Sequence, residues 1–478
     1  MVRGSSHTRS STERSSTRTT ADAVSRAAIE STSREAECAT NEATTRETQC
    51  SAIESATRET KDTTARSIGV RSAMISALAL LAACSASRSK PDLSPLPPGE
   101  GGYAIVCAKV LSVDDDDHIY TPGMILVRGT HIAYVGEKRA IPDGYRVLDC
   151  GDAWATPGYV ELHSHIHSGG WGDINDMVIP VNPELRASAG LRPSNAEVRR
   201  ACAGGVTTLF GIPGSGTSNS GFGVVYKSKT HARFDEVVVR DPGGMKIAQS
   251  YNPERRAGDF GATRAGLSWI LENINQRALG EIRDHRFDPA LENLKKVHEK
   301  ELPVLIHSAG SDGYAAAARM WKEKYDTNCV LSHGCFTAHE IADYIVSTGA
   351  PINAGPRTMD YIRTHDGAIT GTAQKYLAAG AKNLSLCTDS PVMPQEELFL
   401  QGSMSARLGA DSYQMLRACT IHPAKVFGLA DRVGSLEVGK DADIVIHAGD
   451  PLDPRARVDL VFIDGNIEYD RAQDGQWF

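Results

Sequence analysis

The sequence predicts an α/β fold: a (β/α)8 TIM barrel carrying a small composite β-sandwich made from both ends of the folded region. Three observations predict it. Residues 102–157 and 430–478 both read as all-β, with apolar and polar residues alternating between turn signals, as in "GMILVRGTHIAYVGE" and "VDLVFIDGNIEYD". Residues 158–429 instead alternate short apolar strands with helical stretches, the pattern of a parallel βα architecture. Several of those strands end in histidine or aspartate, and the C-terminal strand ends are where such a barrel keeps its active site.

Residues 1–69 are built mainly from Ser, Thr, Arg, Glu and Ala, with too little apolar surface to offset the entropy of ordering, so no packed core is expected there. Residues 70–84 read as a signal peptide. Arg71 precedes the apolar run 74–83, which is too short for a membrane span and long enough for a signal core. The run ends in Leu81-Ala82-Ala83-Cys84, which resembles the lipobox of bacterial lipoproteins. That resemblance implies lipidation at Cys84, a translation start near Val70 or Met74, and a membrane-anchored product in the cell envelope, at the outer membrane facing the periplasm. A Ser/Pro-rich tether, 85–101, follows.

In the barrel the expected strands are Tyr159–His165, Val206–Ile212, Val224–Lys227, Met245–Ser250, Val304–His307, Cys329–His333, Pro351–Ala354 and Leu384–Asp389. Helical candidates include 194–203, 289–300, 313–325, 338–348, 368–379 and 411–427. The run Asp114–Asp117 reads as a solvated turn. The net charge of −8 argues against nonspecific nucleic-acid binding, which needs a basic face. Ten scattered cysteines do not make a disulfide framework, although Cys107 and Cys150 flank one expected sheet and could pair in an oxidising compartment.

The chemistry gathers at the strand ends. "GYVELHSHIHSGG" places His163, His165 and His167 at alternate positions, hence on one face of a strand. His307 ends strand five in "VLIHSAG", His333 ends strand six in "VLSHGCF", Asp389 ends strand eight in "LCTDSPV", and Lys246 lies on strand four in "GMKIAQS". Such groups at one end of a barrel converge, and they suit zinc, manganese or iron.

This ordered set, preceded by Pro157-Gly158 and followed by "TIHPAKVFGLADRVGSLEVGKDADIVI", resembles the amidohydrolase superfamily, in the branch of imidazolonepropionase and the metal-dependent dipeptidases (prolidases). The resemblance runs from about Gly102 to Tyr469. It implies one or two divalent metals per chain, zinc being the first choice. His163, His165 and Asp389 would bind one metal, His307 and His333 a second, and carbamylated Lys246 would bridge the two. It further implies hydrolysis of an amide, cyclic amide or dipeptide C–N bond by a metal-bound hydroxide, with Asp389 as the catalytic proton shuttle. Glu161 stands where the family more often has Asp or Asn, at a position that supports the ligands. His422 replaces an Asn of the tail motif and reads as structural.

Other readings stay open. A single metal could be held by His163, His165, His307 and Asp389, with His333 and Lys246 serving the substrate in a ring-opening hydrolase or a deaminase. Deaminases of the superfamily usually carry a glutamate shortly after the strand-five histidine, and "HSAGSDG" has none. A noncatalytic surface lipoprotein is the remotest reading, since the ligand set is intact. His167, Tyr251, Arg255 and Arg256 are candidate substrate-binding residues, and the loop "GIPGSGTSNSGFG" would lie over the site. The partner is a small-molecule substrate whose identity the loops do not disclose; oligomeric state is equally open.

Overall fold

The computed structural model describes residues 101–170, 174–176, 178–255, 263–360 and 369–477. The expectations for 1–69, for the signal peptide with Cys84, for the tether up to residue 100, and for Arg256 and the Arg255 side chain lie outside the described residues. Among the described residues no helix is long and apolar enough to cross a membrane.

Two sheets form the sandwich. One is four-stranded, in the order His131–Glu137, Gly123–Arg128, Gly102–Cys107, Tyr145–Asp149. The other has six strands and joins the chain ends: Asn466–Asp470, Val458–Ile463, Ile444–His447, Trp154–Pro157, Lys109–Leu111 and Ile119–Tyr120. Alternate residues of both sheets, among them Ile105, Val127, Ile444 and Phe462, bury one apolar layer between them. Trp154–Pro157 runs through Gly158 straight into the barrel. A Cβ at Gly158 would collide with the Thr207 hydroxyl, so only glycine allows this close approach.

Eight strands make the barrel: β1 (Tyr159–Ser164), β2 (Val206–Gly211), β3 (Asn219–Lys227), β4 (Val238–Ala248), β5 (Val304–Ser308), β6 (Cys329–His333), β7 (Ile352–Ala354) and β8 (Leu384–Leu386). They lie side by side in sequence order. The seam between β8 and β1 is drawn together by the His165 N–H, which donates to the Ser390 carbonyl at 2.8 Å, beside a parallel bridge between Ser164 and Ser390. Val160, Leu162, Phe210, Val225, Leu305 and Val330 fill the interior. Outward-facing Tyr159, Leu209, Val224 and Ile306 pack beneath the helical layer.

One strand departs from the expected parallel order. β3 starts at Asn219, five residues before the expected Val224, and runs antiparallel to both β2 and β4. The reason lies in the connections. Residues 212–218 and 228–237 are too short for βα crossovers, so they close hairpins instead. The remaining described neighbours in the barrel sheet are parallel. Helices occupy all six expected regions, including Ala196–Ala203, capped by the Asn195 side chain, which accepts from the Glu197 and Val198 N–H groups. The 20-residue helix Arg264–Arg283 and the helix Leu398–Arg407 are additional to the expected ones.

Candidate metal centre

A bulge sets the first histidine. Between Glu161 and Ser164, β1 spends one residue more than the facing Leu209–Gly211. The extra residue breaks the alternation and turns His163 into the barrel after the inward-facing Leu162. There the His163 ring lies 4.4 Å from the His333 ring, 5.3 Å from His165 and 6.3 Å from His307, centroid to centroid. His333 (φ 77°) and Asp389 (φ 51°) reach the same space from left-handed backbone, an uncommon conformation for such residues at strand ends and one that clusters at functional sites.

Hydrogen bonds on the far side of each ring determine what faces the centre. His163 Nδ1 lies 2.6 Å from Ser332 Oγ, His165 Nδ1 2.9 Å from the Ile212 carbonyl, and His333 Nδ1 3.0 Å from the Gly355 carbonyl. A carbonyl oxygen only accepts, so the Nδ1 atoms of His165 and His333 carry the protons and their Nε2 lone pairs point inward. His165 Nε2 then sits 3.1 Å from Asp389 Oδ1, and His163 Nε2 sits 3.2 Å from the same oxygen. Burial pushes the His163 and His307 imidazoles well below their ordinary range and His333 down to about 4. Neutral acceptors facing a carboxylate repel one another unless a cation lies between them. On the other side His307 Nδ1 and His333 Nε2 approach to 2.5 Å, while buried His307 Nε2 has no hydrogen-bond partner. Nitrogen and carboxylate donors crowded in this way fit a borderline divalent cation.

Lys246, fully buried, places Nζ 2.9 Å from His163 Nε2. Burial lowers its amine to about 7, so a large share is free base near neutral pH. The structure thus brings together His163, His165, Lys246, His307, His333 and Asp389.

A model of the amidohydrolase family matches residues 256–467. The crystal structure of an amidohydrolase from Thermotoga maritima MSB8 is similar over 77% of this chain and 100% of its own, with 30% sequence identity and a TM-score of 0.70. The chain belongs to the amidohydrolase family. As such it is an enzyme, a hydrolase acting on carbon–nitrogen bonds. The imidazolonepropionase of Thermoplasma acidophilum is 23% identical over 431 residues, spanning 81% of this chain and 98% of its own length. Amidohydrolase tasK of Hapsidospora irregularis is 23% identical over 391 residues, and there the match spans only 40% of the relative's length.

In this amidohydrolase Glu161 clasps the barrel seam. One oxygen accepts from the His163 N–H at 2.8 Å; the other accepts from the Thr388 N–H and hydroxyl, both at 2.8 Å, and from Gln395 Nε2 at 3.0 Å. It therefore ties the strand that carries His163 to the turn that carries Asp389, a positioning role. Burial lifts its carboxyl to about 7 against these four bonds.

One of the expected pocket residues stands apart from the centre. His167 does not join it. A Cβ on outward-facing Gly211 would meet His167 Cβ at 2.9 Å and Tyr226 at 2.9 Å, which places His167 outside the barrel wall. Burial pushes its ring down to about 3, so it packs as a neutral residue. Tyr251, three residues past the end of β4, has φ 74° and is partly exposed, its ring 5.2 Å from that of Phe336 beyond β6. His422 lies at the opposite end of the barrel, its Nδ1 2.9 Å from the carbonyl of Leu384, the first residue of β8.

Sequence reasoning missed Cys387. Its sulfur, His163 and His333 lie mutually within ligand reach, and its place two residues before Asp389 in the run expected as strand eight is the signal that could have found it. In this structure the Cys387 thiol points to the Asn353 carbonyl at 3.7 Å, and burial holds it well above the ordinary thiol range.

Proposed function

We propose that this amidohydrolase is a metal-dependent hydrolase of an amide, cyclic amide or dipeptide, with Asp389 as its proton shuttle. The single observation that carries this reading is the meeting of His163 Nε2, His165 Nε2 and Asp389 Oδ1 within 3.2 Å contacts, with His165 Nε2 left unprotonated because its Nδ1–H donates to the Ile212 carbonyl. Those three residues would hold one divalent metal, zinc first by donor type; His307 and His333 would hold a second, and Lys246, carbamylated by carbon dioxide, would bridge them. When bound, such a metal activates water and polarises the scissile carbonyl.

The protein's own groups do the rest. The Ile212, Gly355 and Ser332 oxygens fix the histidine orientations. Asp389 Oδ1, at the focus, takes the proton of the attacking water and delivers it to the leaving nitrogen. The loop 212–218 between β2 and β3 borders the same end of the barrel and limits water around the substrate.

A one-metal arrangement has its own support. Unmodified Lys246 occupies the His163 Nε2 lone pair at 2.9 Å, as it would when it serves the substrate rather than a bridge. The functional test is a panel of dipeptides, N-acyl amino acids and cyclic amides. Hydrolysis of at least one class is expected, lost on treatment with a chelator and restored by zinc. Turnover that survives complete metal removal would overturn the proposal.

We further propose anchoring in the cell envelope through lipidated Cys84, supported by Leu81-Ala82-Ala83-Cys84 and the Ser/Pro-rich stretch after it. Labelled palmitate is expected in the native product and absent from Cys84→Ser; an unlabelled native product would refute the anchor.

A further inference from the structure

The four-stranded sheet of the sandwich ends in Tyr145–Asp149, an edge strand held only by its parallel neighbour Gly102–Cys107. The register pairs Val106 with Asp149, and the Cys150 N–H donates to the Val106 carbonyl at 2.8 Å. Cys107 and Cys150 are therefore the next residues opposite one another. They also share a face. Tyr103, Ile105 and Cys107 on one strand and Leu148 on the other line the inner layer of the sandwich, and Cys150 packs against that layer. The neighbouring Cys150 thiol, and after it burial, raises the Cys107 thiol well above its usual range. Strands lie ~4.8 Å apart, inside the Cα separation of roughly 4.4–6.8 Å that a disulfide needs. Both cysteines are free in this structure.

We propose that Cys107 and Cys150 are an oxidisable pair whose disulfide staples the edge strand Tyr145–Asp149 to the sandwich. The oxidant is a disulfide, of a small thiol or of a dithiol protein. Cys150, the half-buried partner, meets it first: its thiolate attacks one sulfur of the oxidant, forming a mixed disulfide and releasing one thiol. Cys107 gives up its proton to solvent and attacks the Cys150 sulfur, closing the protein disulfide and releasing the second thiol. Two protein thiols are oxidised and one oxidant disulfide is reduced to two thiols. The metal centre takes no part.

The test uses the full chain incubated with oxidised glutathione, alkylated under denaturing conditions and mapped as non-reduced tryptic peptides. The expected result is a linked pair of peptides containing Cys107 and Cys150, a loss of about two free thiols per chain, and a Tm increase that a reductant reverses. Cys150→Ser should show neither the link nor the increase. Full alkylation of Cys107 and Cys150, or glutathione retained on Cys150 without the link, would overturn the proposal, and both outcomes are read on the wild-type chain alone.

Discussion

Replacing Asp389 by Asn is expected to lower kcat by roughly 10²–10⁴-fold, the usual worth of general acid–base catalysis, while leaving the fold intact. The side chain keeps its shape, and Asn still offers an oxygen as a metal ligand beside His163 and His165, whose Nε2 atoms lie 3.2 and 3.1 Å from Asp389 Oδ1. What Asn cannot do is accept a proton from water and return it to a leaving nitrogen. His163 and His165 remain as metal ligands, so metal content should fall little, and thermal melting should stay within a few degrees. The measurement is steady-state turnover on the best substrate of the panel, together with metal content and Tm on the same preparations. Turnover equal to wild type with bound metal would refute the shuttle role.

A second large effect is expected at the other end of the barrel. Lys227, 2% exposed, ends β3 and faces three carboxylates of the sandwich: Asp443 at 2.6 Å, Asp441 at 3.0 Å and Asp464 at 3.6 Å. Arg432 pairs with Asp441 at 2.8 Å and Lys229 with Asp464, so three cations meet three anions. Burial alone would lower the Lys227 amine, but the surrounding carboxylates outweigh it and raise it, so the amine is charged. Lys227→Ala leaves buried Asp443 without its close cation, and breaking a buried pair from one side costs about 3–5 kcal/mol. Denaturant unfolding of the described domain should show that loss. The double variant Lys227→Met, Asp443→Leu should recover much of it, because removing both partners avoids an uncompensated charge. A loss below about 1 kcal/mol for Lys227→Ala would mean that the network is solvated and weak.

The barrel and its ligand end were legible because strand ends carry sequence-local signals: His163, His165, His307, His333 and Asp389 each close a short apolar run. The reversed β3 was not legible from the strand itself, since "FGVVYK" reads the same in either direction. Direction is set by the lengths of the connections on both sides. His167 shows the limit of simple alternation. Period two carried it onto the face of His165, yet β1 ends at Ser164, and the short helix Ile166–Ser168 takes His167 out of the barrel. The bulge that aims His163 inward depends on β2 as a partner, which no local pattern reveals. Cys387 needed only the parity argument applied to Asp389. The helix Arg264–Arg283 carries a periodic stripe, Leu267, Leu271, Ile274 and Ala278, and a Thr263 cap, so it was within reach of the sequence.

The central claim is that the converging acceptors hold divalent metal. The most direct measurement is metal stoichiometry by elemental mass spectrometry on the purified chain, beside Lys246→Ala. About two metals per chain, falling to about one or none in the variant, is the predicted result for a bridged pair. About one metal in both proteins would favour the one-metal arrangement and return Lys246 to the substrate. An active wild-type protein with no bound divalent metal would contradict the account.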